Sequence, residues 1–140
     1  MTPKQFLRQL RKIAANIEVL QEELTRLRSR VESTTVQLSA DRVQTSPTGD
    51  RFADAIADLA DKELYYMDMV EEYERLRQRI VDLILGMDNP IHVQVLYGRY
   101  VKGRSLSAIA NELAYSYDRI KHVHGEALQA FDEKYLRRES

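Results

Sequence analysis

Residues 3–32, PKQFLRQLRKIAANIEVLQEELTRLRSRVE, decide the fold. Within them Phe6, Leu10, Ile13, Ile17, Leu20, Leu24, Leu27 and Val31 recur at alternating steps of four and three. This is an unbroken a/d heptad seam, an apolar stripe on one helix face that closes only against another helix. Leu7 and Ala14 widen the stripe near its start. Pro3 suits a first helical turn and Thr2 can cap it. The spacing predicts one long helix over Pro3–Glu32.

Moving outward, residues 34–50 lose the seam and contain Ser46-Pro47-Thr48-Gly49-Asp50, a turn cluster that also signals a helix start. This stretch reads as a linker that lies on the helices through Val36, Leu38 and Val43. A second long helix is expected over Arg51–Gly86. Its seam reads Phe52, Ile56, Leu59, Glu63, Tyr66, Val70, Tyr73, Arg77, Ile80 and Ile84, with Glu63 and Arg77 as polar interruptions. Tyr65, Tyr66 and Tyr73 fall on or beside it and suit core packing or subunit contact. Each helix is expected to run on the order of 45–50 Å. The linker permits an antiparallel hairpin within one chain, and equally the pairing of two copies through the same seams.

Composition narrows the function. The chain has 140 residues, room for one domain with an extension. Five Gly and three Pro argue against a turn-rich β-sandwich or barrel, and 44% hydrophobic residues argue against broad disorder. Zero Cys excludes a disulfide framework, thiolate metal sites and a cysteine nucleophile. No apolar run spans a bilayer, and the amphipathic N-terminus lacks the apolar core of a signal peptide. Net charge is −1, so a whole-chain basic field is absent. By segment, residues 1–33 carry +3, 34–50 carry −1, 51–87 carry −4 and 88–140 carry +1. The basic first and acidic second helix are expected to attract each other. Exposed pairs contribute only about 0.2–1 kcal/mol each, so they select partners more than they hold the fold.

The last third changes character. Asp88-Asn89-Pro90 ends the heptads and opens a helix with Val93, Leu96, Tyr97, Tyr100 and Val101 as its apolar positions. Lys102-Gly103-Arg104 is a turn. Ser105 caps a short helix with Leu106, Ile109, Ala110 and Leu113 inside, and Ala114-Tyr115 is a second tight turn. Ser116 caps a final helix with Ile120, Val123, Ala127, Leu128 and Phe131 inside. Two short capped helices joined by about three residues and braced by a third make a helix-turn-helix. The expectation is an all-α chain with two parts: residues 1–87 as two coiled-coil helices with the linker at 34–50, and residues 88–140 as the helix-turn-helix module.

In that motif the start of the second helix enters the major groove of double-stranded DNA. Tyr117, Asp118, Arg119, Lys121 and His122 occupy the first two turns, mostly off the apolar face. Arg119 and Lys121 can donate to guanine acceptors or phosphates, and Tyr117 and His122 can donate or pack on sugar. The helix starts at Ser105 and Ser116, with Lys102 and Arg104 ahead of the first, suit phosphate docking. Asp118 and His122 are spaced for a local ion pair. His122 and His124 point about 200° apart on a helix and cannot share a metal. No phosphate-cradling glycine loop, nucleophile elbow or metal-protease signature occurs. The sequence therefore predicts no enzyme, cofactor, metal or small-molecule substrate.

Residues 88–131 resemble region 4 of the sigma-70 family. The likeness runs through Leu96-Tyr97-Gly98-Arg99-Tyr100-Val101-Lys102-Gly103, then Ser105, Ile109-Ala110 and Leu113, then Tyr115-Ser116, Ile120, His124-Gly125 and Ala127-Leu128. The family usually has Glu where this chain has Ala108, and Gly where it has Ala114. With its N-terminal coiled coil and the linker Asp41-Arg42-Val43-Gln44-Thr45-Ser46-Pro47, the whole chain resembles small phage and prophage proteins of Gram-positive bacteria, a group similar to phage late-gene transcriptional activators. The resemblance implies a DNA-binding transcriptional regulator in the cytoplasm of a bacterial host, with host RNA polymerase as a further partner and no membrane role. A homo-oligomer through the coiled coil is expected because two-fold DNA sites reward two-fold proteins. Two alternatives stand beside it: a DNA-packaging recognition protein resembling a small terminase subunit, and a coiled-coil adaptor that touches no DNA.

Overall fold

The structure, a computed structural model, describes residues 1–40 and 46–137, and the side chains of all of these except 38–40 and 46–48. The described residues are helical and contain no strand. Five α-helices follow in order: α1 Pro3–Ala40, α2 Ser46–Leu85, α3 Pro90–Leu96, α4 Leu106–Leu113 and α5 Tyr117–Phe131. Two π-helical turns, Tyr97–Val101 and Asp132–Leu136, continue α3 and α5. No described helix is long and apolar enough to cross a membrane.

α1 begins with a reciprocal cap: the Gln5 amide donates to Thr2 Oγ1 (3.1 Å) and the Thr2 amide donates to Gln5 Oε1 (2.9 Å). The helix runs to Ala40, past the expected end at Glu32. The cause is visible at Thr34, which follows Leu27 and Val31 at the same four-then-three steps and is buried. Its hydroxyl donates to the Arg30 carbonyl (2.8 Å), and Thr35 does the same to Val31 (2.8 Å), so both polar groups are satisfied inside a helix. α2 starts at Ser46 rather than Arg51, because Pro47 is tolerated in a first turn. The expected linker at 34–50 therefore contracts to the residues between the two helices. The motif stretch Asp41–Thr45, Val43 and the side chain of Leu38 lie outside the described residues. Val36 is exposed rather than packed down.

The chain divides into two compact units. Unit 2 comprises residues 15–72. Within it Leu20, Leu24 and Leu27 of α1 and Ala55 of α2 are buried. Gln21 Nε2 donates to Tyr66 OH (3.0 Å), Arg28 pairs with Glu63 (3.6 Å) and Arg30 with Asp58 (2.9 Å). The partners run in opposite directions along the sequence, so the two helical stretches are antiparallel within the unit. Ala55 takes the inward place expected for Ile56, which is 44% exposed. Both residues lie one turn from Phe52 on adjacent faces.

Unit 1 comprises residues 1–14 and 73–140. It does not divide at residue 87/88 as expected. Phe6, Leu7 and Leu10 of α1 and Ile80, Ile84 and Met87 pack in one core with Leu96, Tyr100, Val101, Ala127 and Phe131. A seam read only as helix-on-helix here serves a three-helix module as well, because apolar spacing specifies a face and not its partner. A second cluster joins Val95 to Ile109, Ala110, Ile120 and Val123, with Ile91, Leu106 and Leu113 against it. Val95 is completely buried, though the periodicity did not mark it. Asn89 caps α3, its Oδ1 accepting from the Ile91 amide (3.1 Å).

Candidate nucleic-acid interface

The segment expected to read DNA consists of α4 and α5, joined by Ala114, Tyr115 and Ser116. Serine caps both helices: Ser105 Oγ accepts from the Ala108 amide (3.1 Å) and Ser116 Oγ from the Arg119 amide (3.1 Å). α4 ends in a left-handed residue, Ala114 (φ 58, ψ 39). The Tyr115 amide donates to Ala110 O (3.0 Å) and the Ala114 amide to Asn111 O (3.4 Å), the two bonds of a Schellman closure. Ala110 is buried between α4 and its neighbours, and Ile120 and Val123 hold α5 from beneath. α5 is thus anchored by its inner face, and its start is turned outward. Ser116, Tyr117, Asp118, Arg119, Lys121 and His122 are all exposed.

Individual side chains in this region have local partners. Lys121 Nζ lies over the Tyr117 ring, 5.5 Å from its centre. His122 pairs with Glu126 (2.9 Å), not with Asp118 as expected. Both carboxylates stand one turn from His122. The shorter Asp118 stays in the first turn, where a negative charge complements the helix start. Arg119 has no side-chain partner among the described residues. In the turn ahead of α4, Lys102 lies over the Tyr97 ring (5.8 Å) and Arg104 forms an ion pair with Glu112. The Arg104 amide donates to Gly98 O (2.9 Å), and Arg99 Nη1 donates to Arg104 O (3.2 Å). The turn is therefore tied to the π-helical segment behind it, and the Arg104 side chain is half-neutralised by its carboxylate.

The histidines are used separately. His124 faces inward, its ring stacked on Tyr100 (5.7 Å between centres), with Tyr100 OH and His124 Nε2 2.9 Å apart. Burial, and then the positive charges of Lys4, Arg99 and Arg8, hold the His124 pKa below the usual histidine value. Burial likewise raises the Tyr100 phenol. The neutral ring and the Tyr100 hydroxyl share a hydrogen bond at Nε2, a link from the π-helical turn to α5. The buried His92 Nε2 stands 3.8 Å from Glu126. No group of three metal-ligating side chains occurs among the described residues.

Charge is not spread evenly. Unit 1 carries 15 basic and 9 acidic side chains, net +6, and unit 2 carries 6 and 13, net −7. The near-neutral total conceals this division. Cutting the sequence at residue 87 also hides it, because Lys4, Arg8, Arg11 and Lys12 belong to unit 1. These four residues, and the Tyr100–His124 pair, are the features of the site that reading along the sequence missed. The only signal available was the absence of any acid in residues 1–14. Comparison of the chain with protein-family models, with curated proteins and with solved structures found no match.

Proposed function

We propose that this chain is a sequence-specific DNA-binding transcriptional regulator encoded by a phage or prophage, related to the sigma-70 region 4 group it resembles. In this reading α4 and α5 are a helix-turn-helix braced by α3, and α5 enters the major groove at Ser116. The observation that carries it is the outward start of α5. Five side chains able to meet bases or phosphates, Tyr117, Asp118, Arg119, Lys121 and His122, are exposed there, on a helix locked from beneath by Ile120 and Val123. A recognition helix needs that combination of rigid backing and an open start. The net charge of +6 on unit 1 supports the same reading, since phosphate neutralisation drives encounter with duplex.

Arg119 and Lys121 are assigned base or phosphate contact, and Ser105, Ser116 and Lys102 phosphate contact. Arg104 contributes less, because Glu112 already holds it. The long helices serve as a coiled coil that joins copies into a homo-oligomer, with host RNA polymerase as a second candidate partner. Such a protein acts in the bacterial host cytoplasm and without catalysis.

The test is binding to fragments of the encoding phage and its host genome against random duplex, titrated with salt. One fragment is expected to bind at least about a thousandfold tighter than random duplex. Arg119→Ala with Lys121→Ala is expected to lower affinity for that fragment at least tenfold, since each side chain bonded to a base edge contributes about 1–3 kcal/mol. Equal, weak binding everywhere overturns the reading. A many-membered ring in solution would favour DNA packaging instead.

A further inference from the structure

The basic residues of α1 divide into two groups. In unit 2, Arg26, Arg28 and Arg30 have carboxylate partners in Glu23, Glu63 and Asp58. In unit 1, Lys4, Arg8, Arg11 and Lys12 have no ion pair among the described residues, and none of residues 1–14 is acidic. At 100° per residue, Lys4, Arg8 and Arg11 fall within an arc of about 60° on α1. A shallow concavity along that helix is lined by Gln5, Arg8, Gln9, Arg11 and Lys12, with no carboxylate.

Position ties this face to the candidate interface. The Arg11 guanidinium lies against Gly103: a Cβ built there would stand 2.6 Å from Arg11 Cζ. Gly103 also has φ +72, a left-handed conformation that favours glycine, and the open face it leaves is where the flexible Arg11 side chain rests. Arg11 therefore reaches the turn that leads into the Ser105 cap of α4. Lys4 and Arg8 lie close enough to α5 to act on His124, as Arg99 does. One basic surface thus runs from the first turns of α1 to the turn ahead of α4 and the flank of α5.

We infer that the first three turns of α1 are a second duplex-contacting element, in which Lys4, Arg8, Arg11 and Lys12 hold the phosphate backbone of the DNA whose groove α5 enters. The inference rests on the proposed reading of α5 and extends it to residues outside the helix-turn-helix. Long, exposed, unpaired cations along a shallow, open face suit evenly spaced phosphates rather than base edges. A lipid surface fits poorly. A membrane-binding helix must offer its apolar face to the bilayer, and Phe6, Leu7 and Leu10 are sealed in the core of unit 1.

The test uses the full chain and labelled random duplex, with affinity followed from about 50 to 200 mM salt. Lys4→Gln, Arg8→Gln, Arg11→Gln and Lys12→Gln combined are expected to weaken binding at least tenfold at low salt. The slope of log affinity against log salt should become shallower by about 0.9 for each phosphate no longer neutralised, roughly two to four in all. The charge-keeping set Lys4→Arg, Arg8→Lys, Arg11→Lys and Lys12→Arg should retain both affinity and slope. If the combined variant melts early, Lys12→Gln alone should still flatten the slope by about 0.9. An unchanged slope, with Arg119→Ala and Lys121→Ala still abolishing preference for the selected fragment, overturns this inference and leaves the groove reading intact. Failure of the unaltered chain to bind any duplex overturns both. Tighter binding to phosphatidylserine vesicles than to duplex, lost in the glutamine variant, assigns the patch to a membrane and overturns the inference.

Discussion

Replacing Ala114 by glycine is expected to stabilise the protein. Ala114 ends α4 at φ 58, ψ 39, in the left-handed region where a Cβ crowds the following carbonyl. That conformation costs a non-glycine residue about 1–2 kcal/mol. The side chain is exposed, so its methyl group returns little packing energy. Both backbone bonds of the closure, from Ala114 and Tyr115 to Asn111 and Ala110, are available to glycine unchanged. Against the gain stands the freer unfolded chain, which removes about 0.4–1 kcal/mol. The net expectation is a gain of about 0.5–1 kcal/mol, or about 2–4 °C in Tm for a chain of this size. Ala108→Gly, in the first turn of α4, has ordinary helical geometry and should lose about 0.5–1 kcal/mol. Urea unfolding followed by circular dichroism and by tyrosine fluorescence measures both, and the chain has no Trp to interfere. A glycine variant at position 114 with a midpoint equal to or below the unaltered chain would refute the reasoning. So would two variants moving in the same direction.

Further consequences concern the cap, the half-buried histidine and the long-helix seam. Ser116→Ala should cost about 1 kcal/mol by releasing the Arg119 amide, whereas Ser116→Asp keeps a cap. The aspartate variant should match the unaltered chain in urea yet bind duplex more weakly, because its charge repels phosphate; unaltered binding would contradict the assigned role. His124 has a folded pKa below 6.5, so the unfolded chain binds its proton first as pH falls. Its contribution is complete above about pH 6.5 and is lost as pH drops through the lower folded value. His124→Gln should remove that part of the pH dependence, and a curve parallel to the unaltered chain's would sink the assignment. In a pH titration of the His124 ring followed by NMR, Lys4→Gln with Arg8→Gln should raise its pKa, since two positive neighbours are gone. Leu27→Ala, at a position only 3% exposed, should destabilise unit 2 by about 2–4 kcal/mol, measured as a loss of helix signal at lower urea.

Much of the architecture was legible because it depends on local patterns. The 4-3 spacing from Phe6 to Val31 predicted a long helix, and Ser105, Ser116 and Asn89 marked helix starts whose hydrogen bonds the structure contains. The helix ends were less legible. The Thr34–Thr35 pair looked like a break, since hydroxyl back-bonding to residue i−4 leaves no periodic trace. The π-helical turn at Tyr97–Val101 also had no signature in the spacing. Within it Gly98 lies against Ile109, where a Cβ would sit 3.2 Å from the Ile109 side chain.

The sequence by itself determined that the chain is helical, where its helices are capped and which residues occupy the outer start of α5. These are matters of periodicity, capping chemistry and residue type within a few positions of one another. Only the tertiary structure decided which partner each apolar face would meet and where each charge would gather. A heptad seam is indifferent to what covers it, so Phe6, Leu7 and Leu10 join the core of Phe131 while Leu20, Leu24 and Leu27 close elsewhere. Their exposed neighbours follow, which puts Arg11 beside Gly103 across most of the chain's length and makes unit 1 strongly basic in a nearly neutral protein. Burial is set by short-range contacts that sequence spacing can forecast, whereas an electrostatic surface is a sum over every charge that folding brings near.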